Sequence, residues 1–441
     1  MEDDMGNVTN FPRAGQGNAW QGELDRGENG PYATVANAVT VLGCDEHVAG
    51  TVAYDDFSHR IIVTRPPPVA HSAAKPAPGP YPRAITDTDV TLLQGYIQRT
   101  YSIRISQQVA QQAVVADAET RRIHPVREWL DGLVWDGVKR LDAWLHSAFG
   151  ANVDAYHQAV GAKVLAAAVR RVRDPGCKFD HVMVLEGEQG KGKSRACAAL
   201  FGTKWFTDNL AHDLADKDAQ QGMAGKWGIE LAELNVLVRS TSQAAKAFFS
   251  RQVDYYRPSY GRSFVERPRQ CIFIGTTNEF DYLADPTGNR RYWPVFCDKA
   301  DVEWIADNRD QLWAEAAYAE SLGEALWLDD EKLRRKATAK QDNRVAEDVW
   351  TPKIRDWIRR ESKRNVRVPD ALEMALNLPP VQQNRSAEMR VANILRRNKW
   401  MRHKYRDDTG TSIVAWFAPG EELPGKGTRV PTVDTSEDDD A

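Results

Sequence analysis

The 441-residue sequence has no run of 18 consecutive apolar residues, the minimum expected of a helix that crosses a bilayer, so no membrane span is predicted. Residues 1–5 are acidic and do not begin an apolar stretch, and no signal peptide is expected there. The sequence contains only five cysteines, and none belongs to a CxxC pair: Cys44, Cys177, Cys197, Cys271 and Cys297. This odd, scattered set argues against a disulfide framework or a zinc site and is typical of a reducing cytoplasm.

The overall composition excludes no further class of protein. Apolar residues make up 42% of the chain and charged residues 27%, as in an ordinary soluble protein, and the length predicts two or three domains. The formal net charge of −4 conceals a local excess of positive charge. Between residues 353 and 406 there are fifteen Lys and Arg against five Asp and Glu. This excess favours a nucleic-acid-binding surface, with a uniformly solvated basic surface as the alternative.

A glycine-rich stretch at residues 187–194 carries the strongest functional signal. It reads Gly187-Glu188-Gln189-Gly190-Lys191-Gly192-Lys193-Ser194 and fits the P-loop pattern of glycine, four residues, glycine, lysine and serine. Residues 181–185 are typical of a buried strand and residues 195–200 of a helix, which is the context a P-loop requires. A chance match in a surface turn is the alternative.

The chemistry of a P-loop assigns roles to these residues. Backbone amides of the loop would surround phosphates at a helix amino terminus, Lys193 would reach the β- and γ-phosphate oxygens, and Ser194 would bind Mg²⁺. The residues predicted to contact ATP are Gly187, Glu188, Gln189, Gly190, Lys191, Gly192, Lys193, Ser194 and Arg195.

Two later segments are predicted to complete the site. Residues 227–234 are typical of a buried strand that ends in carboxylates, so Glu230 and Glu233 are expected to hold Mg²⁺ and polarise the attacking water. An amphipathic helix with two exposed glutamates is the alternative. Residues 270–278 are typical of an apolar strand, and Asn278 at its end could contact the γ-phosphate or the lytic water. An asparagine that merely ends a strand in a turn is common.

Two arginine-containing segments predict further contacts, one to nucleic acid and one to the nucleotide of a neighbouring subunit. Basic and aromatic residues alternate in residues 254–269, which favours a hairpin that binds single-stranded nucleic acid over a merely solvated hairpin. The arginines predicted to bind DNA there are Arg257, Arg262, Arg267 and Arg269. The paired Arg290 and Arg291 follow a Gly-Asn turn and could supply positive charge to the γ-phosphate of a neighbouring subunit, as arginine fingers do.

Composition also predicts the division of the chain. Residues 37–42 look helical and residues 60–64 look like a strand, within a small module predicted at 1–65. The other predicted segments are a Pro-rich linker at 66–82, a helical domain at 83–155, the ATPase domain at 156–345, a winged-helix-like basic domain at 346–419 and a disordered acidic tail at 420–441. The C-terminal assignment depends on helices at 354–360 and 391–397 followed by a strand at 412–417.

The sequence between about Pro125 and Val295 resembles the virulence-associated E protein family of phages and integrated mobile elements, which is similar to superfamily 3 helicases of the AAA+ class. The resemblance depends on His124-Pro125-Val126, Trp135-Asp136-Gly137, the P-loop, residues 229–234, Phe248-Phe249-Ser250, Thr276-Thr277-Asn278 and residues 287–291. Relatives often carry an N-terminal primase-polymerase domain, for which this sequence has no room before Pro66.

The resemblance implies an α/β fold with a P-loop NTPase core of the AAA+-like, superfamily 3 helicase type. It also implies an ATP- and Mg²⁺-dependent DNA helicase or translocase that forms a homo-oligomeric ring, expected to be a hexamer, on single-stranded DNA or a forked duplex. Such an ATPase would act in the bacterial cytoplasm in phage or mobile-element replication, with phage or host replication proteins as further partners. Two alternatives remain: a nucleotide-gated DNA-binding protein without unwinding activity, and a small-molecule kinase that shares only the P-loop.

Overall fold

The structure is a computed structural model that describes residues 17–69, 79–210, 217–232, 242–258, 263–283, 288–345, 347–407, 410–424 and 429–430. The chain divides into two compact units, Met1–Val345 and Ala346–Ala441. No helix in these ranges has the length and apolar character needed to cross a membrane. Most of the predicted acidic tail, the middle of the predicted linker and residue Glu233 lie outside the described residues.

The first unit begins with a small α/β layer. After a 3₁₀ turn (Gly17–Glu23) and a ribbon of β1 (Arg26–Gly27) and β2 (Gly30–Pro31), it contains α1 (Val35–Cys44), β3 (Val52–Asp55), β4 (Arg60–Val63), β5 (Arg83–Ala84), α2 (Asp87–Tyr101), α3 (Gln107–Glu119) and β6 (Arg122–Ile123). The strand order is β5-β4-β3-β6. The structure therefore corrects the predicted separation of residues 1–65 from 83–155. Strands β4 and β5 pair across the Pro-rich segment, and Val41, Leu93 and Ala113 share one core.

The remainder of the first unit is built on a five-stranded sheet. Its elements are α4 (Pro125–Asp131), α5 (Trp144–Phe149), α6 (Ala155–Arg173), β7 (Val182–Glu186), α7 (Lys193–Phe201), β8 (Phe206–Thr207), α8 (Lys217–Gly222), β9 (Gly228–Leu231), α9 (Ser242–Ser250), β10 (Val253–Tyr256), β11 (Val265–Pro268), β12 (Ile272–Thr277), a 3₁₀ turn (Asn289–Arg291), β13 (Tyr292–Phe296), α10 (Val302–Ser321) and α11 (Glu331–Asp342). The strand order is β13-β7-β12-β9-β8, and every pair is parallel.

Both faces of this sheet are buried, which explains the continuous apolar sequence of its strands. Alternate residues of β7 point to opposite sides, because side chains along a strand alternate between faces. Met183 and Leu185 join a core shared with α6, α7 and α10, whereas Val182 and Val184 pack with Phe248 and Phe249 of α9. The predicted α/β class is confirmed, and the strands of its central sheet are all parallel.

The second unit contains α12 (Thr351–Arg360), β14 (Asn365–Val366), α13 (Val368–Asp370), which continues as a π-helical turn (Ala371–Ala375), a 3₁₀ turn (Pro380–Gln382), α14 (Arg385–Arg397), β15 (Met401–Asp407), β16 (Ser412–Phe417) and β17 (Arg429–Val430). The sheet order is β14-β16-β15-β17. Its core is formed by residues such as Ile354, Trp357, Val391, Leu395 and Trp416.

Candidate nucleotide site

The glycine-rich loop joins the end of β7 to the beginning of α7. Gly187, Gly190 and Gly192 have φ angles of 154°, 81° and 86°, which lie in a region that side-chain-bearing residues rarely adopt. The Gly187 amide donates to the carbonyl of Thr277 at 3.1 Å. A Cβ on Gly187 would lie 2.2 Å from the carbonyl oxygen of Cys297. Glycine is therefore required where the loop leaves the sheet.

The amino terminus of α7 is suited to an anion. Gly192 precedes the helix and provides no side-chain cap, so the amides of the first turn are left for another acceptor. The Lys193 ammonium donates to the carbonyls of Gly187 at 2.6 Å and Glu188 at 2.8 Å, and burial lowers its pKa. A phosphate would offer this ammonium charged acceptors, which form stronger hydrogen bonds than neutral carbonyls.

Glu230 is the buried carboxylate of the site, with only 1% of its surface exposed. Its Oε1 accepts hydrogen bonds from Ser194 Oγ at 2.7 Å and Thr276 Oγ1 at 2.6 Å. Its Oε2 is buried and has no hydrogen-bond partner among the described residues. Such an oxygen normally finds a partner, and a hydrated divalent cation that prefers oxygen ligands fits the position. Glu233 is not among the described residues, so only one of the two predicted carboxylates is located.

These groups surround one open cleft with an empty volume of about 1020 Å³. The cleft lies where the carboxyl ends of the parallel strands β7, β9 and β12 meet, the usual ligand position in open α/β sheets. It is lined by Gln189, Gly190, Lys191, Gly192, Lys193, Ser194, Arg195, Glu230, Ala232, Thr276, Thr277 and Asn278. The structure thus brings together the predicted loop, Glu230 and Asn278.

Two residues that sequence reasoning did not select support the site. The Thr276 hydroxyl joins Glu230 to the neighbouring strand. Glu186 immediately precedes the loop, is fully buried, and accepts hydrogen bonds from Arg344 Nη2 at 2.7 Å and Tyr282 Oη at 2.7 Å. The paired threonines before Asn278 were a usable signal for Thr276, whereas nothing in the sequence connects Glu186 to Arg344.

Arg290 and Arg291 lie at the opposite end of the strands from the cleft. Strand β13 runs parallel to β7, with Tyr292 opposite Val182 and Phe296 opposite Glu186, so both arginines precede the strand at its amino end. A five-residue strand separates this end from the cleft by roughly 15 Å.

The two arginines differ in their surroundings. Arg291 is tied to Asp180 at 3.2 Å and to Ser250 Oγ at 2.9 Å, and its side chain is 13% exposed. Arg290 is exposed and lines a second cleft with His181 and Trp293. Arg291 is therefore an internal structural residue in this structure, and Arg290 is the accessible member of the pair.

The basic–aromatic segment forms an antiparallel hairpin of β10 and β11. Tyr255 and Phe264 stack on each other, with ring centroids 5.0 Å apart and planes inclined by 8°, and they are 61% and 59% exposed. Arg257 is exposed and Arg267 is half-buried, while Arg262 lies outside the described residues.

Arg269 does not fit its predicted role. It is 3% exposed, and its guanidinium donates to both carboxylate oxygens of Asp254 at 2.8 Å and packs on the Phe248 ring with its central carbon 4.3 Å from the centroid. The prediction that Arg269 binds DNA is wrong, because its charge is used to compensate a buried carboxylate at the base of the hairpin.

Residues 130–346 match the family described as the virulence-associated protein E-like domain. The chain is also similar to solved structures of the NrS-1 C-terminal region. One apo structure has 13% identity and a TM-score of 0.41 over 83% of this chain and 95% of that chain. An A-form apo structure has 14% identity and a TM-score of 0.39 over 76% and 82% of the two chains. No curated protein matches the chain.

Proposed function

Because residues 130–346 match the virulence-associated protein E-like domain, we propose that the chain is an ATP-hydrolysing DNA helicase or translocase that acts in phage or mobile-element replication. We assign its core to the AAA+-like, superfamily 3 type of P-loop ATPase and its second unit to the winged-helix type. The observation that carries the proposal is the convergence of Lys193, Ser194, Glu230 and Asn278 on one cleft at the carboxyl edge of a parallel sheet.

The residues of the cleft would have different roles in phosphoryl transfer. Loop amides and Lys193 would bind the phosphates, and Asn278 and Glu233 would orient the attacking water. Mg²⁺ would supply charge neutralisation between the phosphates. Ser194 and Glu230 would hold it, since their oxygens are 2.7 Å apart and Glu230 Oε2 has no described partner.

Arg290 supports an oligomeric enzyme. It lies at the opposite end of the strands from the cleft, too far to reach a nucleotide bound there in its own subunit, and it is exposed to solvent. We propose that Arg290 acts on the cleft of the next subunit in a homo-oligomeric ring, for which the family resemblance implies a hexamer. Arg291 would hold the turn in position through Asp180 and Ser250.

The hairpin is the proposed contact to single-stranded DNA. Exposed aromatic rings such as Tyr255 and Phe264 provide faces on which bases stack whatever their sequence. Arg257, Arg262 and Arg267 would neutralise backbone phosphates.

The proposal is tested by ATP hydrolysis with and without single-stranded DNA, for the wild type and Lys193→Ala. We expect DNA-stimulated hydrolysis in the wild type and a loss of at least about 100-fold in the variant, because the ammonium that stabilises charge on the transferred phosphoryl group is removed. Undiminished hydrolysis by Lys193→Ala would refute the site assignment.

Two further assays distinguish the alternatives. Mass measurement with and without ATP and single-stranded DNA tests ring assembly, and strand displacement on a forked duplex tests unwinding. ATP-dependent DNA binding without displacement or translocation would favour a nucleotide-gated DNA-binding protein. Phosphate transfer to a small metabolite in the absence of nucleic acid would favour a kinase.

A further inference from the structure

The second unit lies beyond the family match, which ends at residue 346, and it carries its own charged surfaces. We propose that this unit binds double-stranded DNA, with helix α14 in the major groove and strand β15 along the phosphate backbone. The proposal does not depend on ATP hydrolysis by the first unit.

Helix α14 presents one continuous stripe away from its core. Its buried side is formed by Ala387, Val391, Ile394 and Leu395. Helical spacing puts Arg385, Met389, Asn393 and Arg396 on the opposite side, since they are separated by four, four and three residues. Three of them are exposed, and Asn393 is half-buried beside Arg396, which donates to its Oδ1 at 2.7 Å.

The chemistry of this stripe matches base edges in the major groove. Arginine can donate two hydrogen bonds to guanine, asparagine can pair with adenine, and an apolar side chain contacts the thymine methyl group. Met389 is 57% exposed in the middle of the stripe, where burial against a ligand would be favourable. The helix has thirteen residues and is about 20 Å long, enough to lie along a groove about 12 Å wide.

Strand β15 provides a separate row of cations. Arg402, Lys404 and Arg406 alternate with other residues, so all three point to one face, and all three are exposed. The β15–β16 hairpin follows α14 after a turn of three residues, in which the Trp400 amide donates to the Leu395 carbonyl at 3.0 Å. Because this row of cations follows closely after the helix proposed to lie in the major groove, it is suited to contact the adjacent backbone phosphates.

One arginine of α14 has a structural role, because its contacts hold the helix in place. Arg390 donates to both carboxylate oxygens of Asp348, at 2.7 and 2.8 Å, and lies over the Trp350 ring with its central carbon 3.9 Å from the centroid. These contacts fix α14 to the start of the unit. A preorganised helix loses less conformational freedom when it binds.

The surface of this unit favours duplex over single-stranded DNA. Single-strand sites use exposed aromatic rings for stacking. The large hydrophobic side chains most exposed in the described part of the second unit are aliphatic or methionine, namely Val349, Met374, Val381, Met389, Met401 and Leu423. The hairpin of the first unit, with Tyr255 and Phe264, has the opposite character. Ten excess positive charges between residues 353 and 406 suit the dense charge of a duplex.

The test uses the full-length protein without nucleotide and compares two double variants that each remove two positive charges. Arg385→Ala/Arg396→Ala alters the stripe, and Arg359→Ala/Arg360→Ala alters exposed arginines of α12. In fluorescence anisotropy with a duplex selected from a random-sequence library, we expect the stripe variant to lose about tenfold or more in affinity and the control to stay within about twofold. DNA-stimulated ATP hydrolysis on single strands should be unchanged in both.

A third variant separates base recognition from charge. Arg385→Lys/Arg396→Lys keeps both charges but loses the bidentate geometry, so general duplex affinity should remain while preference for the selected sequence disappears. Equal losses in the stripe and α12 variants, an unchanged stripe variant, or a loss confined to single-stranded DNA or RNA would overturn the proposal. Because Lys193→Ala should abolish hydrolysis without changing duplex affinity, failure of the proposed ATPase function is distinguishable from failure of this inference.

Discussion

At the scale of single residues, arginine has several different tasks in this chain. Arg269 neutralises a buried carboxylate, Arg291 holds a turn, and Arg290 and Arg257 are exposed. The sequence presents all four in similar basic clusters. Only their burial separates the structural arginines from those that can contact a ligand.

Arg269→Ala should therefore destabilise the protein. It leaves Asp254 as a buried carboxylate with its main partner removed, and breaking a buried ion pair in this way costs about 3–5 kcal/mol. Urea or guanidinium unfolding measures the change, with Arg257→Ala as the control, which should stay within about 0.5 kcal/mol of the wild type. A stable Arg269→Ala protein with weakened DNA binding would instead support the predicted contact between Arg269 and DNA.

At the scale of elements, the hairpin of β10 and β11 combines a buried base with an exposed upper part. Asp254 and Tyr256 point inward, while Tyr255 and Arg257 point outward, as the alternation of a strand requires. Stacking and charge are therefore carried by different side chains and can be removed separately.

The two contributions predict different salt dependences of single-strand binding. Arg257→Ala should lower the slope of log affinity against log salt by about 0.7, because one phosphate contact is lost. Tyr255→Ala should weaken binding by about 1–3 kcal/mol at every salt concentration without changing the slope. Titrations of fluorescent oligonucleotides at four or more salt concentrations measure both. An unchanged slope for Arg257→Ala together with lost ATP binding would place that arginine in the nucleotide site or the fold.

At the scale of the whole molecule, the parallel sheet puts Lys193 and Arg290 at opposite ends of its strands. One subunit therefore has the proposed phosphate-binding cleft at one end of the strands and an exposed arginine at the other. A complete site of the proposed kind requires two copies of the chain.

Mixing two inactive variants tests this arrangement. Arg290→Ala and Lys193→Ala should each lose most ATP hydrolysis, since removal of an arginine finger is worth about 10³- to 10⁵-fold. An equimolar mixture should regain a measurable fraction of wild-type activity, because an intact cleft in one subunit meets an intact Arg290 in the next. Wild-type activity of Arg290→Ala alone, or no recovery in a mixture shown by mass measurement to form mixed oligomers, would refute action between subunits.

The sequence by itself determined the local features. The P-loop, the strand before it, the helix after it, the helix within residues 35–44 and the strand within residues 60–63 follow from short-range patterns of glycine, apolar and charged residues. Such patterns reflect backbone conformation and the alternation of side chains, which neighbouring residues decide. The grouping of Lys193, Glu230 and Asn278 was also predictable, because carboxyl ends of adjacent parallel strands meet at one edge.

Tertiary structure alone decided which charges are available. Arg269 and Asp254 are separated by fifteen positions, and Glu186 and Arg344 by 158, so each pairing depends on chain segments that meet only after folding. The joining of residues 52–63 with residues 83–84 and 122–123 in one sheet has the same origin. Burial and long-range pairing are properties of the packed chain, and no local pattern encodes whether an arginine faces a carboxylate or the solvent.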